Sequence, residues 1–408
     1  MPSARPLAYG IAVALVLIVA LTAGLALRDR GRAAASPAAS PAAISTATSP
    51  PAAGTSTSSP APSATASTAS GVLDDRFGFV VLDNGAHVRS EVSNAEVASF
   101  TPQGRSFTFV SRIVSPDGRS VAYWSSVSNG AVLHVRAVTG GADRSIFTGR
   151  PEMNGNAFAW SSDGTGLVVA LDNNCQEICG AQGGQAVNEL WTVEVASGTS
   201  EKVAEGKIWL PVTWDRGAKL VAAGVTGPGG YLSGYDVIDL HQKPYAVRST
   251  EFRPAVMGSL SASADARFIL SAVADSAGTK LAWWPLADPD KRSTIDFDGA
   301  TAVWRPGTTQ VWWVGGLTPT GCRARPCSGT QLISFDVATG ARAVAFRGSV
   351  GAGLAGFRVD GSAAITASDT SAPGSNSGDL TFVELATGRT ATLGITGIFA
   401  GSVRLRPN

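Results

Sequence analysis

The sequence predicts an all-β protein assembled from repeated units, on three observations. Its 408 residues are only 15% charged yet include 47 glycines and 10 tryptophans. That balance suits Gly-turned strands and argues against a helical bundle or a disordered chain. Short apolar runs recur, often beside Asp-Gly or Thr-Gly dipeptides that supply the φ > 0 residue of a tight turn. The runs group into units whose starts lie 42 to 53 residues apart. Formal net charge is +1, which gives no electrostatic reason to expect a nucleic-acid partner. The basic residues are 26 Arg and 6 Lys. With the abundant Ala, that bias is read as a GC-rich coding preference rather than as a binding surface.

Four regions follow in order. Residues 1–6 are a short tail. Residues 7–27 carry no charge, and at 1.5 Å rise they would span about 31 Å, enough to cross a bilayer core as a transmembrane signal-anchor helix. A cleaved signal peptide is the rival reading; its apolar region runs to about 15 residues, shorter than this one, although the small residues at 33–36 offer a cleavage site. No Cys lies near the segment, so a lipid-modified cysteine anchor is excluded. The flanking charges conflict with outward placement. Arg5 precedes the segment while Arg28, Arg30 and Arg32 follow it, and the positive-inside rule alone would put the C-terminal part in the cytoplasm. Stalk composition and cysteine content point the other way, and long domains translocate largely regardless of flanking charge. The expectation is a single-pass membrane protein with its C-terminal domain outside the cytoplasm. Residues 28–71 form an Ala/Ser/Thr/Pro-rich disordered linker. From 33 to 71 it has no charged or aromatic residue and one large aliphatic, Ile44, too little apolar surface to offset the entropy of ordering. It would span roughly 35 Å as a coil and roughly 120 Å in extended polyproline form, as a plain linker or an O-glycosylated surface spacer.

Residues 72–408 form the repeat domain, with a charge of about −2 by the reference ionisations. The first unit starts at Ser115-Pro116-Asp117-Gly118 and continues with strands at 120–126, 132–138 and 142–148. The second starts at 161–164, with strands at 166–172, 189–195 and 200–206. The third starts at 214–217, with strands at 219–225, 235–240 and 243–249. The fourth starts at 263–266, with strands at 267–273, 280–286 and 291–297. The fifth starts at 305–308, with strands at 310–316, 331–337 and 341–347. The sixth starts at 358–361, with strands at 362–368, 379–385 and 389–395. This period is that of a four-stranded β-propeller blade. A sandwich does not repeat a four-strand unit, and β-helix periods are much shorter. Strand-like pieces at 77–83 and 86–93 and at 397–407 are left over at the two ends. Paired, they make a composite seventh blade that closes the ring. Trp160, Trp214, Trp304 and Phe357 sit at or beside the turn in equivalent places, as inter-blade packing requires. In the pairs Trp283-Trp284 and Trp312-Trp313, successive strand residues face opposite sides, so each pair loads both faces of its blade.

The turn Ser115-Pro116-Asp117-Gly118 followed by an apolar strand resembles the WD-like repeat of TolB-type bacterial propellers. The resemblance covers about 112–395. Only the first unit carries the whole motif, while Asp163-Gly164 and Asp360-Gly361 keep part of it. It implies the fold and is nearly silent about activity, because propellers host many unrelated functions.

Residues that could carry chemistry are few. His87, His134 and His241 fall in different units without metal spacing, and no G-x-S-x-G is present. Gly351, Gly353 and Gly356 match G-x-G-x-x-G, but the βαβ context of a dinucleotide site is missing. They are read as an inter-blade turn. Asp117, Asp163 and Asp360 occupy the same repeat turn, with capping as their expected role. No catalytic residue, metal or cofactor is expected.

The cysteines say more. Cys175 and Cys179, and Cys322 and Cys327, fall between the first two strands assigned to the second and fifth units. The connections holding them, 173–188 and 317–330, are long against 127–131 in the first unit. The expectation is two local disulfides pinning two loops on one face, which lowers the entropy cost of binding. A shared zinc site is the competing reading. Arg323 and Arg325 inside the second ring are candidate anion or carboxylate contacts, and Gln176 and Glu177 lie in the first. The expected function is a non-enzymatic binding or protein-interaction platform acting through this loop face on a cell-envelope partner. The alternatives are an enzyme with its site in the central channel, acting on glycan or phosphate esters, and an accessory subunit of an envelope complex.

Overall fold

A computed structural model of the chain describes residues 71–83, 85–100, 113–127, 130–149, 154–172, 188–227, 232–256, 260–275, 278–299, 301–317, 328–369 and 377–406. The expected anchor at 7–27 and nearly all of the linker at 28–71 lie outside these residues. Among the described residues, no helix is long and apolar enough to cross a membrane.

The described chain is a ring of seven sheets. β1 (Phe77–Leu82), β2 (Ala86–Ser90) and β3 (Glu96–Phe100) come first. Blade one holds β4 (Ser120–Val127), β5 (Gly130–Ala137) and β6 (Arg144–Thr148), with its innermost strand reduced to a Val114–Val121 bridge. Blade two holds β7 (Asn154–Trp160), β8 (Gly166–Asp172), β9 (Glu189–Glu194) and β10 (Ser200–Glu205). Blade three holds β11 (Trp209–Asp215), β12 (Leu220–Thr226), β13 (Leu232–Asp239) and β14 (Ala246–Val256). Blade four holds β15 (Ser261–Ala262), β16 (Phe268–Asp275), β17 (Gly278–Pro285) and β18 (Ser293–Asp296). Blade five holds β19 (Ala302–Trp304), β20 (Gln310–Gly315), β21 (Ser328–Asp336) and β22 (Arg342–Gly351). Blade six holds β23 (Gly353–Phe357), β24 (Ala363–Asp369), β25 (Ser377–Glu384) and β26 (Thr390–Ile395). The last strand, β27 (Ile398–Arg404), pairs antiparallel with β1, giving the composite order β27-β1-β2-β3. The fold is therefore an all-β seven-bladed propeller closed by its two chain ends, as the leftover terminal strands predicted.

In blades two to six each sheet starts one strand earlier than the sequence unit does. The extra strand precedes the turn, and these first strands meet around the axis: β7 with β11, β11 with β15, β15 with β19, β19 with β23, and β23 with β27. Their sequences do not read as strands because they are short or interrupted. β15 has two residues and β19 three, and β11 carries Pro211 at a bulge.

Packing between blades follows the two-residue period. Trp284 faces blade three, among Tyr235 and Phe252, while Trp283 meets Phe335 of blade five at a tilt. Trp313 meets Phe297 of blade four edge-on, and Trp312 meets Phe357 of blade six. Trp160, Trp214, Trp304 and Phe357 are all buried at or next to the ends of first strands. The Trp214 ring lies where a side chain on Gly166 would be: a Cβ there would sit 2.5 Å from it. Gly351 to Gly356 form the passage from β22 into β23, a strand-to-strand connection between blades five and six.

Candidate functional site

In an antiparallel meander, alternate connections emerge at opposite ends of the strands, so the disc has two distinct faces. One carries the connections from first to second and from third to fourth strands. These are short turns closed by hydrogen bonds. In blade one, the Ser115 hydroxyl donates to Asp117 Oδ1 at 2.6 Å, Asp117 accepts the Arg119 amide, and Ser115 Oγ accepts the Ser120 amide. Pro116 occupies the next position and Gly118 takes φ +70°. Blade two repeats the pattern with Ser161 and Asp163, with Gly164 at φ +71°. Burial alone would raise the Asp163 carboxyl, but the Ser161 and Thr165 donors and the Arg216 charge outweigh it and hold the group below its usual range. Blade four, where the dipeptide pattern is gone, keeps the same clamp. Ser263 donates to Asp265 at 2.6 Å, and Asp265 accepts the Arg267 amide. Ala266 stands in for Gly at φ +52°. In blade six Gly361 keeps φ +72° and Asp360 is clamped by Ser362, because the first turn position is Arg358.

The opposite face carries the connections from second to third strands and between blades. Their lengths differ sharply. Two residues separate β4 from β5 and β16 from β17, whereas sixteen separate β8 from β9 and twelve separate β20 from β21. Cys175, Cys179, Gln176 and Glu177 belong to the first long connection, and Cys322, Cys327, Arg323 and Arg325 to the second. All eight lie outside the described residues. What is placed is their flanks: Asp172 and Glu189 in blade two, Gly315 and Ser328 in blade five.

Three polar clusters lie within the blades and were not read from sequence. In blade three, the buried Asp236 carboxylate accepts from Lys207 Nζ at 2.9 and 3.0 Å, Trp209 Nε1 at 3.0 Å and Ser249 Oγ at 2.6 Å. Both oxygens are fully used, which is a structural role. In blade one, Ser125 Oγ lies 2.7 Å from His134 Nε2, and Ser145 Oγ lies 3.4 Å from Nδ1. Burial lowers the His134 pKa, with Asp143 opposing, which favours the neutral ring, one nitrogen donating and the other accepting. A nucleophilic serine also needs a group orienting its base and access to substrate. Here the second ring nitrogen faces a serine rather than a carboxylate, and Ser125 is buried. The third cluster joins Arg358 to Glu91 across the seam between blade six and the composite blade. His87 lies between Asp83 and Glu96, and His241 beside Asp239. Among the described residues no group of three or more His, Cys, Asp or Glu is arranged to hold a metal.

No protein-family model and no curated protein matches this sequence. Several solved structures are similar to it. TolB from Acinetobacter baumannii matches at 14% identity over 67% of this chain and 63% of that one, with TM-score 0.42. A chain of the mitotic checkpoint complex matches at 14% identity over 72% and 82%, with TM-score 0.47. The tricorn protease matches at 15% identity over 79% and 34%, with TM-score 0.47. The chain thus spans under two thirds of the TolB and tricorn protease chains. At such identities the likeness is one of fold alone. The protein is a seven-bladed propeller with a WD-like repeat turn, similar to TolB-type propellers.

Proposed function

We propose that this protein is a membrane-tethered, extracytoplasmic propeller that acts as a non-enzymatic binding platform, engaging a cell-envelope protein through its loop face. One observation carries the reading: the two faces are built differently. Every described turn on one face is short and closed on itself, while the insertions gather on the other, in blades two and five. Repeat proteins place binding surfaces where such insertions collect. The domain is entered from the turn face, since residues 71–76 lead into the end of β1 that lies beside Arg404 and the blade-one turn. The loop face therefore lies at the opposite end of the strands from the entry at residue 71. Two pinned rings, Cys175–Cys179 and Cys322–Cys327, would present Gln176, Glu177, Arg323 and Arg325 with little entropy left to lose. Arg323 and Arg325, two positions apart in sequence, would suit a carboxylate-bearing surface.

The channel-enzyme alternative finds little support in the axis-lining strands. Among β7, β11, β15, β19, β23 and β27, the ionisable residues are Asp215 and Arg404, both at strand ends on the turn face. Acid–base hydrolysis uses two such groups converging on one substrate.

The test is capture from native envelope extract by the full chain and by a variant with 173–188 and 317–330 shortened. A component held by the first and lost by the second, with folding unchanged, is the expected result. Equal capture by both overturns the loop-face reading, and a hydrolytic activity that survives shortening would favour the enzyme.

A further inference from the structure

Blade six departs from the repeat at one position, and the departure reaches the point where the chain enters the ring. Units one, two and four begin their turn with Ser115, Ser161 and Ser263; blade five begins with Arg305, which is only partly buried, and blade six with Arg358. Arg358 is buried, at 4% exposure, and so is Glu91, in the turn between β2 and β3 of the composite blade. Arg358 Nε donates to both Glu91 oxygens at 3.2 and 3.1 Å, and Nη2 donates to Glu91 Oε2 at 2.6 Å. Nη2 also donates to the Val72 carbonyl at 2.7 Å, and Nη1 to Ser362 Oγ at 3.1 Å. The Val72 side chain is buried with Phe79, Leu380 and Phe382, residues of both blades. Further on, the Arg76 carbonyl accepts the Leu405 amide at 2.8 Å, tying the entering chain to the end of β27. One guanidinium thus joins three pieces of chain that meet only where the ring closes.

We propose that residues 71–76 are the clasp of the ring, with Arg358 coupling pull on the entering chain to the seam between blade six and the composite blade. The β27–β1 pairing is the only noncovalent junction of the two chain ends within a sheet among the described residues. Pull at residue 71 meets the Val72–Arg358–Glu91 link first. The link spreads the force over two blades, and β1 is not peeled from β27. Without it, the same pull acts on the closing strand pair directly. The mechanical consequence rests on the tethered reading above; the clasp itself does not, because its test involves no partner and no membrane.

The test is hydrogen exchange on the full chain in detergent, comparing the parent with Arg358→Lys, Val72→Ala and the double variant. Lysine keeps a charge beside Glu91 but cannot bond Glu91, Val72 and Ser362 together, and it avoids leaving a buried carboxylate alone. The expected result is amide exchange in β1 and β27 at least about tenfold faster in Arg358→Lys, with β12 and β13 unchanged. The double variant should fall short of the product of the single effects. Equal acceleration in β12 and β13, no acceleration in β1 and β27, or fully multiplicative effects would each overturn the clasp. A failure of partner capture would leave it standing.

Discussion

Replacing Trp313 by alanine tests whether the ring is held by packing between blades. Its indole is fully buried on β20, its ring 5.8 Å from Phe297 in an edge-on contact, and its Nε1 donates to Asp298 at 2.7 Å. The Arg342 guanidinium lies 5.3 Å from the ring. Removing a buried aromatic side chain costs about 3–5 kcal/mol in lost transfer energy and cavity. Asp298 is half exposed and can rehydrate, so the lost hydrogen bond adds only about 1 kcal/mol. The sum is about 4–6 kcal/mol. Unfolding entropy near 2.1 cal/mol/K per residue gives roughly 0.7 kcal/mol/K for a domain of about 340 residues, so Tm should fall by about 6–8 °C. Differential scanning calorimetry on Trp313→Ala measures this. Trp313→Phe, which keeps most of the ring but loses the hydrogen bond, should fall by less than half as much. A drop below about 2 °C for the alanine variant, or a blade that melts separately, would refute the reasoning.

Three further outcomes are expected. His134→Gln should flatten the acid side of the stability profile: the parent's His134 pKa is lowered by burial, so the unfolded chain binds the extra proton, and stability present above about pH 6.5 is lost as pH falls through that value. Thermal melts from pH 8 to 5 read the difference, and an unchanged slope would count against a His134 pKa lowered by burial. Asp265→Ala should cost about 1 kcal/mol, as should Asp117→Ala, since both turns use the same clamp; denaturant melts showing a cost for only one would break the equivalence. Gly234→Ala should destabilise by more than about 2 kcal/mol, because the new Cβ would sit 2.1 Å from the Thr250 carbonyl oxygen on the neighbouring strand.

Much of the fold is legible in the sequence because turn chemistry and strand periodicity are local. Gly118, Gly164 and Gly361 mark turns where φ is positive, and Trp283-Trp284 declares a strand buried on both faces. The composite blade was readable from leftover strands alone, although β3 was not. The fourth unit lacks the Asp-Gly pair because Ala266 replaces glycine, yet Ser263 and Asp265 still clamp the turn; two side chains carry the geometry that the dipeptide only signals. Of the inner strands, β15 and β19 are illegible because two or three residues leave no periodicity to detect, and β7, β11 and β23 because a bulge interrupts theirs. Glu91 and Arg358 lie 267 positions apart, and nothing in either neighbourhood announces the other. The candidate site is legible only as insertion length and cysteine spacing; its chemistry depends on loops whose residues lie outside the described ones.

Photo-crosslinking in the native host compares the two faces directly. A crosslinking residue placed at Asn188 or Leu317 reports the loop face at blades two and five, and one at Arg119 or Thr387 reports the turn face. The account predicts one shared crosslinked component from the two loop-face positions and none from the turn face. Crosslinks from Arg119 or Thr387 to that same component, with Asn188 and Leu317 silent, would contradict it.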